Sequence, residues 1–170
     1  MGKTIKLKIG DDSGFIAIIN SERYSSYVDE NWEVTQLFNH FVSEMNKDHI
    51  IIWATGYENE WTVEFCYEAS MKEAFREFTK TIMVTNGELF LTNYEDLTMA
   101  AQFKKEKVPA KHNADLSIKL DNGIYHFTVR QMFDPNDYDY EHSGNTNFEI
   151  VIKTNVSQTS ISEEVFWRTN

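Results

Sequence analysis

Apolar and polar residues alternate with a period of two over much of this chain. Ile5, Leu7 and Ile9 oppose Lys6 and Lys8, which is the pattern of a half-buried strand. A turn cluster, Gly10-Asp11-Asp12-Ser13-Gly14, separates it from a more buried strand over Phe15 to Ile19, so a hairpin is predicted there. Residues 49–55 are apolar almost without a break, as in a strand covered on both faces. Residues 60–68 alternate strictly, with Trp61, Val63, Phe65 and Tyr67 on one face and Glu60, Thr62, Glu64, Cys66 and Glu68 on the other. Asn86-Gly87 lies between β-rich runs and favours a type I′ hairpin turn, which needs positive φ at both central residues. Asp121-Asn122-Gly123 predicts another hairpin, between residues 114–120 and 124–133. A final strand, Phe148 to Lys153, sets Phe148, Ile150 and Ile152 against Glu149, Val151 and Lys153.

The helical period is strongest over residues 30–46, where Val34, Leu37, Phe38, Phe41 and Met45 form one stripe. Asp29 and Glu30 at its start and Lys47 at its end suit the helix dipole. Residues 70–78 fit two patterns. One is a short helix capped by Ser70 with Glu73 in a capping box and Phe75 and Phe78 as anchors; the other is an early return to strand. Residues 94–102 read as a helical or irregular crossover, and residues 134–147 as a long polar loop of the kind that often carries function. A Ser/Thr-rich tail from Val156 ends in Val165-Phe166-Trp167, whose aromatic pair either frays or docks. The expected fold is mainly β (α+β). It is an antiparallel β-sandwich or barrel of about eight strands with one long packed helix, residues 1–170 forming a single globular domain.

Composition leaves this picture intact: 41% of residues are hydrophobic and 25% charged, as in an ordinary globular protein. Cys66 has no second cysteine to pair with. The N-terminus turns charged at once, without the apolar core of a signal peptide, and Ile50 to Ala54 is too short a run to cross a bilayer. A cytoplasmic protein without a membrane partner is expected. The formal charge of −11 repels phosphate backbones, so nucleic acid is not the expected partner. It favours a basic protein partner, and it equally favours plain solubility.

Catalytic signatures are missing: there is no Gly-x-Ser-x-Gly, no phosphate-binding Gly-rich loop and no Cys-x-x-Cys. Asp137, Asp139 and Glu141 have the spacing of a calcium loop's first ligands. However, His142 and Phe148 stand where that loop needs Gly and Glu, so neither metal nor other cofactor is expected. The row Glu60, Glu64 and Glu68 could do acid/base work, or could be a solvated face that discourages edge pairing. Acids interleaved with Tyr57 and Trp61 are also what an interface for a basic protein looks like. The candidate partner-binding residues are therefore Glu58, Glu60, Glu64 and Glu68, with Asp137, Tyr138, Asp139, Tyr140 and Glu141.

Within residues 63–133, the segments Val84-Thr85-Asn86-Gly87-Glu88-Leu89-Phe90 and Leu120-Asp121-Asn122-Gly123-Ile124-Tyr125 resemble the competence protein J family of nuclease inhibitors. This chain departs from that family by its longer N-terminal part with the helix at 30–46. The resemblance implies a small acidic β-protein that silences a nuclease, a bacterial inhibitor or immunity-type protein. The expected function is non-enzymatic binding of a basic nuclease or toxin; the alternative is a small hydrolase or metal-dependent enzyme using the 134–142 loop.

Overall fold

Two β-sheets face each other across the main core, and two helices cover the far side of one of them. The computed structural model describes residues 4–137, 145–154, 157 and 159–169. The first sheet has the order β1 (Ile5–Asp11), β4 (Asn59–Cys66), β9 (Phe148–Thr154), β8 (Gly123–Gln131), β5 (Arg76–Val84). The second has the order β3 (Ile50–Ala54), β2 (Phe15–Ile19), β6 (Glu88–Asn93), β7 (Ser117–Lys119). Neither sheet closes on itself, so the architecture is a sandwich and the barrel alternative falls. The sheets are antiparallel except where β9 runs parallel to β4, which corrects the all-antiparallel expectation.

Alternation fills the core as expected. Ile9, Trp61, Phe65, Phe127 and Phe148 of the first sheet meet Ile16, Ile18, Trp53 and Leu91 of the second. The opposite face of the second sheet, Ala17, Ile19, Ile50 and Ile52, packs on α1 (Val34–Asn46) and α2 (Tyr94–Gln102) through Leu37, Phe41, Met45 and Leu97. This double cover explains why β3 is apolar throughout. α1 starts at Val34 rather than at residue 30. The Asn31 N–H donates to Asp29 Oδ1 at 2.9 Å, a local turn that competes with helix, and Val34 is exposed rather than part of the buried stripe. α2 is capped by Asn93, whose Oδ1 accepts the Asp96 N–H at 2.9 Å.

The three predicted hairpins are corners. β1 to β2, β5 to β6 and β7 to β8 each step from one sheet to the other. A Gly-rich turn reverses the chain without deciding which sheet receives the next strand. Gly87 has φ of 72° but Asn86 is not in the positive region, so the turn is not type I′. The 86–87 and 121–123 corners hold each other: the Gly87 N–H donates to Asn122 Oδ1 at 2.8 Å and the Leu120 N–H to the Gly87 carbonyl at 3.1 Å.

No helix forms over residues 70–78; β5 begins at Arg76. The chain before it crosses from β4 to β5, and it is bonded to the intervening strands β9 and β8. The Ser70 N–H donates to Glu149 Oε1 at 3.0 Å, and Arg130 Nη2 to the Lys72 carbonyl at 2.7 Å. The tail docks against the edge strands β3 and β5: Phe166 bridges to Trp53 of β3 and stacks on Phe78 of β5 at 3.7 Å.

Candidate functional site: the acidic end of the sandwich

β1 and β8 end, and β4, β5 and β9 begin, at one end of the first sheet. β2 begins there too, after the Asp11 corner. The corner is built on the buried carboxylate of Asp11. Its Oδ1 accepts the N–H groups of Ser13 (3.2 Å), Gly14 (2.7 Å) and Phe15 (3.1 Å). Its Oδ2 accepts Thr55 Oγ1 (2.6 Å) and Trp61 Nε1 (2.8 Å). Trp61 is thereby fixed, and Phe133 stacks on it with centroids 5.1 Å apart while Tyr57 meets both rings edge-on.

Beside this aromatic floor, Asn147 is tied to Thr62 of β4 and to Met132. The Thr62 N–H donates to Asn147 Oδ1 at 2.7 Å, the Asn147 N–H to the Thr62 carbonyl at 2.9 Å, and the Met132 N–H to the Asn147 carbonyl at 2.8 Å. Over 134–137, Asp134 Oδ1 accepts the Asn136 N–H and its carbonyl accepts the Asp137 N–H, both at 2.9 Å. The described stretches meeting at this end are 11–15, 54–60, 70–76, 93–96, 132–137 and 145–147. They expose Asp12, Glu58, Glu60, Glu73, Asp134 and Asp137. Two bases lie among the described residues here: Lys72, which is exposed, and Arg76, which donates to Gln131 Oε1 at 2.8 Å and lies 4.2 Å above the Trp167 ring.

Of the candidates read from sequence, Glu58, Glu60 and Asp137 fall at this end. Tyr138, Asp139, Tyr140 and Glu141 lie outside the described residues. Glu64 is elsewhere, on the outer face of the first sheet, where it accepts Thr146 Oγ1 at 2.6 Å and pairs with Lys6 at 3.8 Å. Glu68 lies beyond the other end of β4. Glu60 and Glu64 share the outward face of β4, Glu68 lies past its end, and the row does not guard an edge, because β4 is flanked by β1 and β9. Glu64 instead belongs to a row of charges running across all five strands: Lys6, Glu64, Glu149, Arg130, Glu77. In it Arg130 pairs with Glu149, and with Glu77 at 3.5 Å. Asp12, Glu73 and Asp134 were missed because they reach the acidic end from three separate loops.

No family model matches this sequence, and no curated protein matches it. Two solved structures are similar in fold. "Crocagin biosynthetic gene J" superposes with a TM-score of 0.59 at 11% identity, covering 91% of this chain and 98% of that one. ComJ from Bacillus subtilis, described as an inhibitor of the DNA degrading activity of NucA, superposes with a TM-score of 0.49 at 12% identity, covering 89% and 96%. At these identities the likeness is one of fold.

The site's chemistry is that of charge presentation. Among the described residues no group of three or more His, Cys, Asp or Glu is arranged to hold a metal. Cys66 is buried, and burial first, then the Glu149 and Glu64 charges, push its thiol up to about 11. At neutral pH it is a protonated thiol and a poor nucleophile. Among the described residues no helix is long and apolar enough to cross a membrane.

Proposed function

We propose that this chain is a non-enzymatic binding protein, an inhibitor or immunity-type protein that takes a basic nuclease or toxin at its acidic end. The observation that carries the reading is the convergence of exposed carboxylates from several loops on one end, where they outnumber the two described bases, exposed Lys72 and the internally engaged Arg76. Such a surface steers a cationic partner and raises its encounter rate. Glu58, Glu60 and Asp137 are contact residues, with Tyr138, Asp139, Tyr140 and Glu141 of the same loop as further ones. Glu64 and Glu68 contribute from the periphery. The nuclease class of partner rests on the resemblance of the two Asn-Gly segments to nuclease inhibitors.

The test is to purify the tagged chain from its native cells, identify what it retains, and assay that protein's own activity with and without added chain. A basic partner whose activity is lost at one equivalent is expected, with an association rate that falls steeply as salt rises. Recovery of an acidic partner, or a partner whose activity is untouched, overturns the proposal.

A further inference from the structure

Segment 70–75 exposes large apolar side chains on a backbone that is held in place. Met71 is 102% exposed and Phe75 50%. Yet the backbone carrying them is bonded to the first sheet at three points within six residues: the Ser70 N–H to Glu149, the Lys72 carbonyl from Arg130, and the Phe75 N–H to the Gln131 carbonyl at 2.8 Å. Arg130 and Glu149 are themselves 8% and 4% exposed. Burying such a pair costs free energy that only a full set of bonds offsets, and two of those bonds hold this segment. Single exposed apolar residues are ordinary on a surface. These two sit on one pinned segment beside carboxylates, and Glu73, Phe75, Phe133, Asp134 and Asp137 line a shared depression.

We infer that this patch is the anchor of the partner surface: Met71 and Phe75 receive apolar side chains of a basic partner segment, and Glu73, Asp134 and Asp137 receive its Lys or Arg heads. The inference rests on the proposed binding of a basic protein and says where on the acidic end the contact is made. A pinned backbone loses little freedom on association, which lets exposed apolar area be converted into affinity. Methionine adapts its shape to the partner, and the phenylalanine ring supplies rigid area. Charge complementarity selects the occupant. The exposed Phe103 borders a depression of mixed charge, lined by Lys104 and Lys105 as well as Asp29, Glu30 and Glu106, whereas Glu73, Asp134 and Asp137 line the depression beside Phe75 without a base.

Two peptides of equal charge test this by nitrogen-15 NMR titration of the whole chain: Arg-Leu-Arg-Leu-Arg-Leu and Arg-Gly-Arg-Gly-Arg-Gly. The leucine peptide is expected to bind about tenfold tighter, the ratio for burying about two methylene groups. It should shift amides of residues 70–75 and 132–137. The double variant Met71→Ala, Phe75→Ala should keep its melting temperature and lose that advantage, whereas Phe103→Ala should retain it. Equal binding of the two peptides, or an unchanged advantage in the double variant, overturns the anchor while leaving an acidic end that binds by charge. Binding of neither peptide, or shifts confined to other surfaces, overturns the anchor and the proposed partner chemistry together.

Discussion

Replacing Asp11 by alanine removes the acceptor for five donors at once. The Ser13 and Phe15 amides are only partly buried and can turn to water. The Thr55 hydroxyl has a second acceptor, the Tyr57 carbonyl at 3.2 Å. The Gly14 amide and Trp61 Nε1 are buried at 2.7 and 2.8 Å from the carboxylate and have no such recourse. A buried donor left unsatisfied costs about 1–3 kcal/mol, so Asp11→Ala should lose about 4 kcal/mol. Asp11→Asn keeps an oxygen for the corner amides but turns an NH₂ group toward Trp61, and should lose about 2 kcal/mol, the share of one such donor. Urea unfolding with an unchanged slope measures both. Because Trp61 carries Phe133, limited proteolysis should also cut faster within 132–137 in Asp11→Ala. A loss below about 1 kcal/mol, no more than one ordinary hydrogen bond, would refute the corner's role.

Reversing Glu58 and Glu60 to Lys should leave the melting temperature nearly unchanged, since exposed charges add little stability. The same variant should slow association with a basic partner about tenfold at low salt, a difference that closes as salt screens the charges; stopped-flow across salt concentrations reads this. Burial opposes the charge on Glu44, but bonds from the Ser25 N–H, His49 and Lys47 outweigh it and hold the carboxyl below its ordinary range. Its folded pKa thus lies below the unfolded value, so the stabilisation is present above pH 4.5 and is lost as pH falls through the folded value. Glu44→Gln should flatten the acid limb of a stability-against-pH curve. The Cys66 thiol is shifted the other way, from 9.0 to about 11, so its contribution is present below pH 9.0 and lost as pH rises through the folded value. Iodoacetamide at pH 8 should modify it slowly in the native chain and rapidly in urea.

Which residues face inward was legible, because alternation encodes it locally: Trp61, Val63 and Phe65 are buried as their spacing predicts. Which sheet receives a strand was not. The Asn86-Gly87 and Asn122-Gly123 signals specify a reversal of direction, and the partner strand is chosen by contacts far away in sequence. The same gap hid the setting of β4, whose glutamates look like guards of a sheet edge until β1 and β9 flank the strand. Ser70 has the look of a helix cap, but its amide is taken by Glu149, 79 residues away. At the acidic end, Glu58, Glu60 and Asp137 stood out through their acidic surroundings. Asp12 and Glu73 joined them only through topology, and Phe75, an anchor in the helical reading of 70–78, is half exposed.

The place of β9 has a consequence for how the chain is made. β1 pairs with β4 and β8 pairs with β5, but the two pairs are joined only by β9, the last of the described strands to leave the ribosome. Until residue 148 emerges, a nascent chain holds two separate ribbons, each with an open inner edge, and Arg130 waits for Glu149 without its buried counter-charge. Open edges on a tethered intermediate are sites for wrong pairing. Synthesis therefore ends with the insertion of a strand into a waiting slot, and a chain that stops before Phe148 leaves the first sheet as two unjoined ribbons.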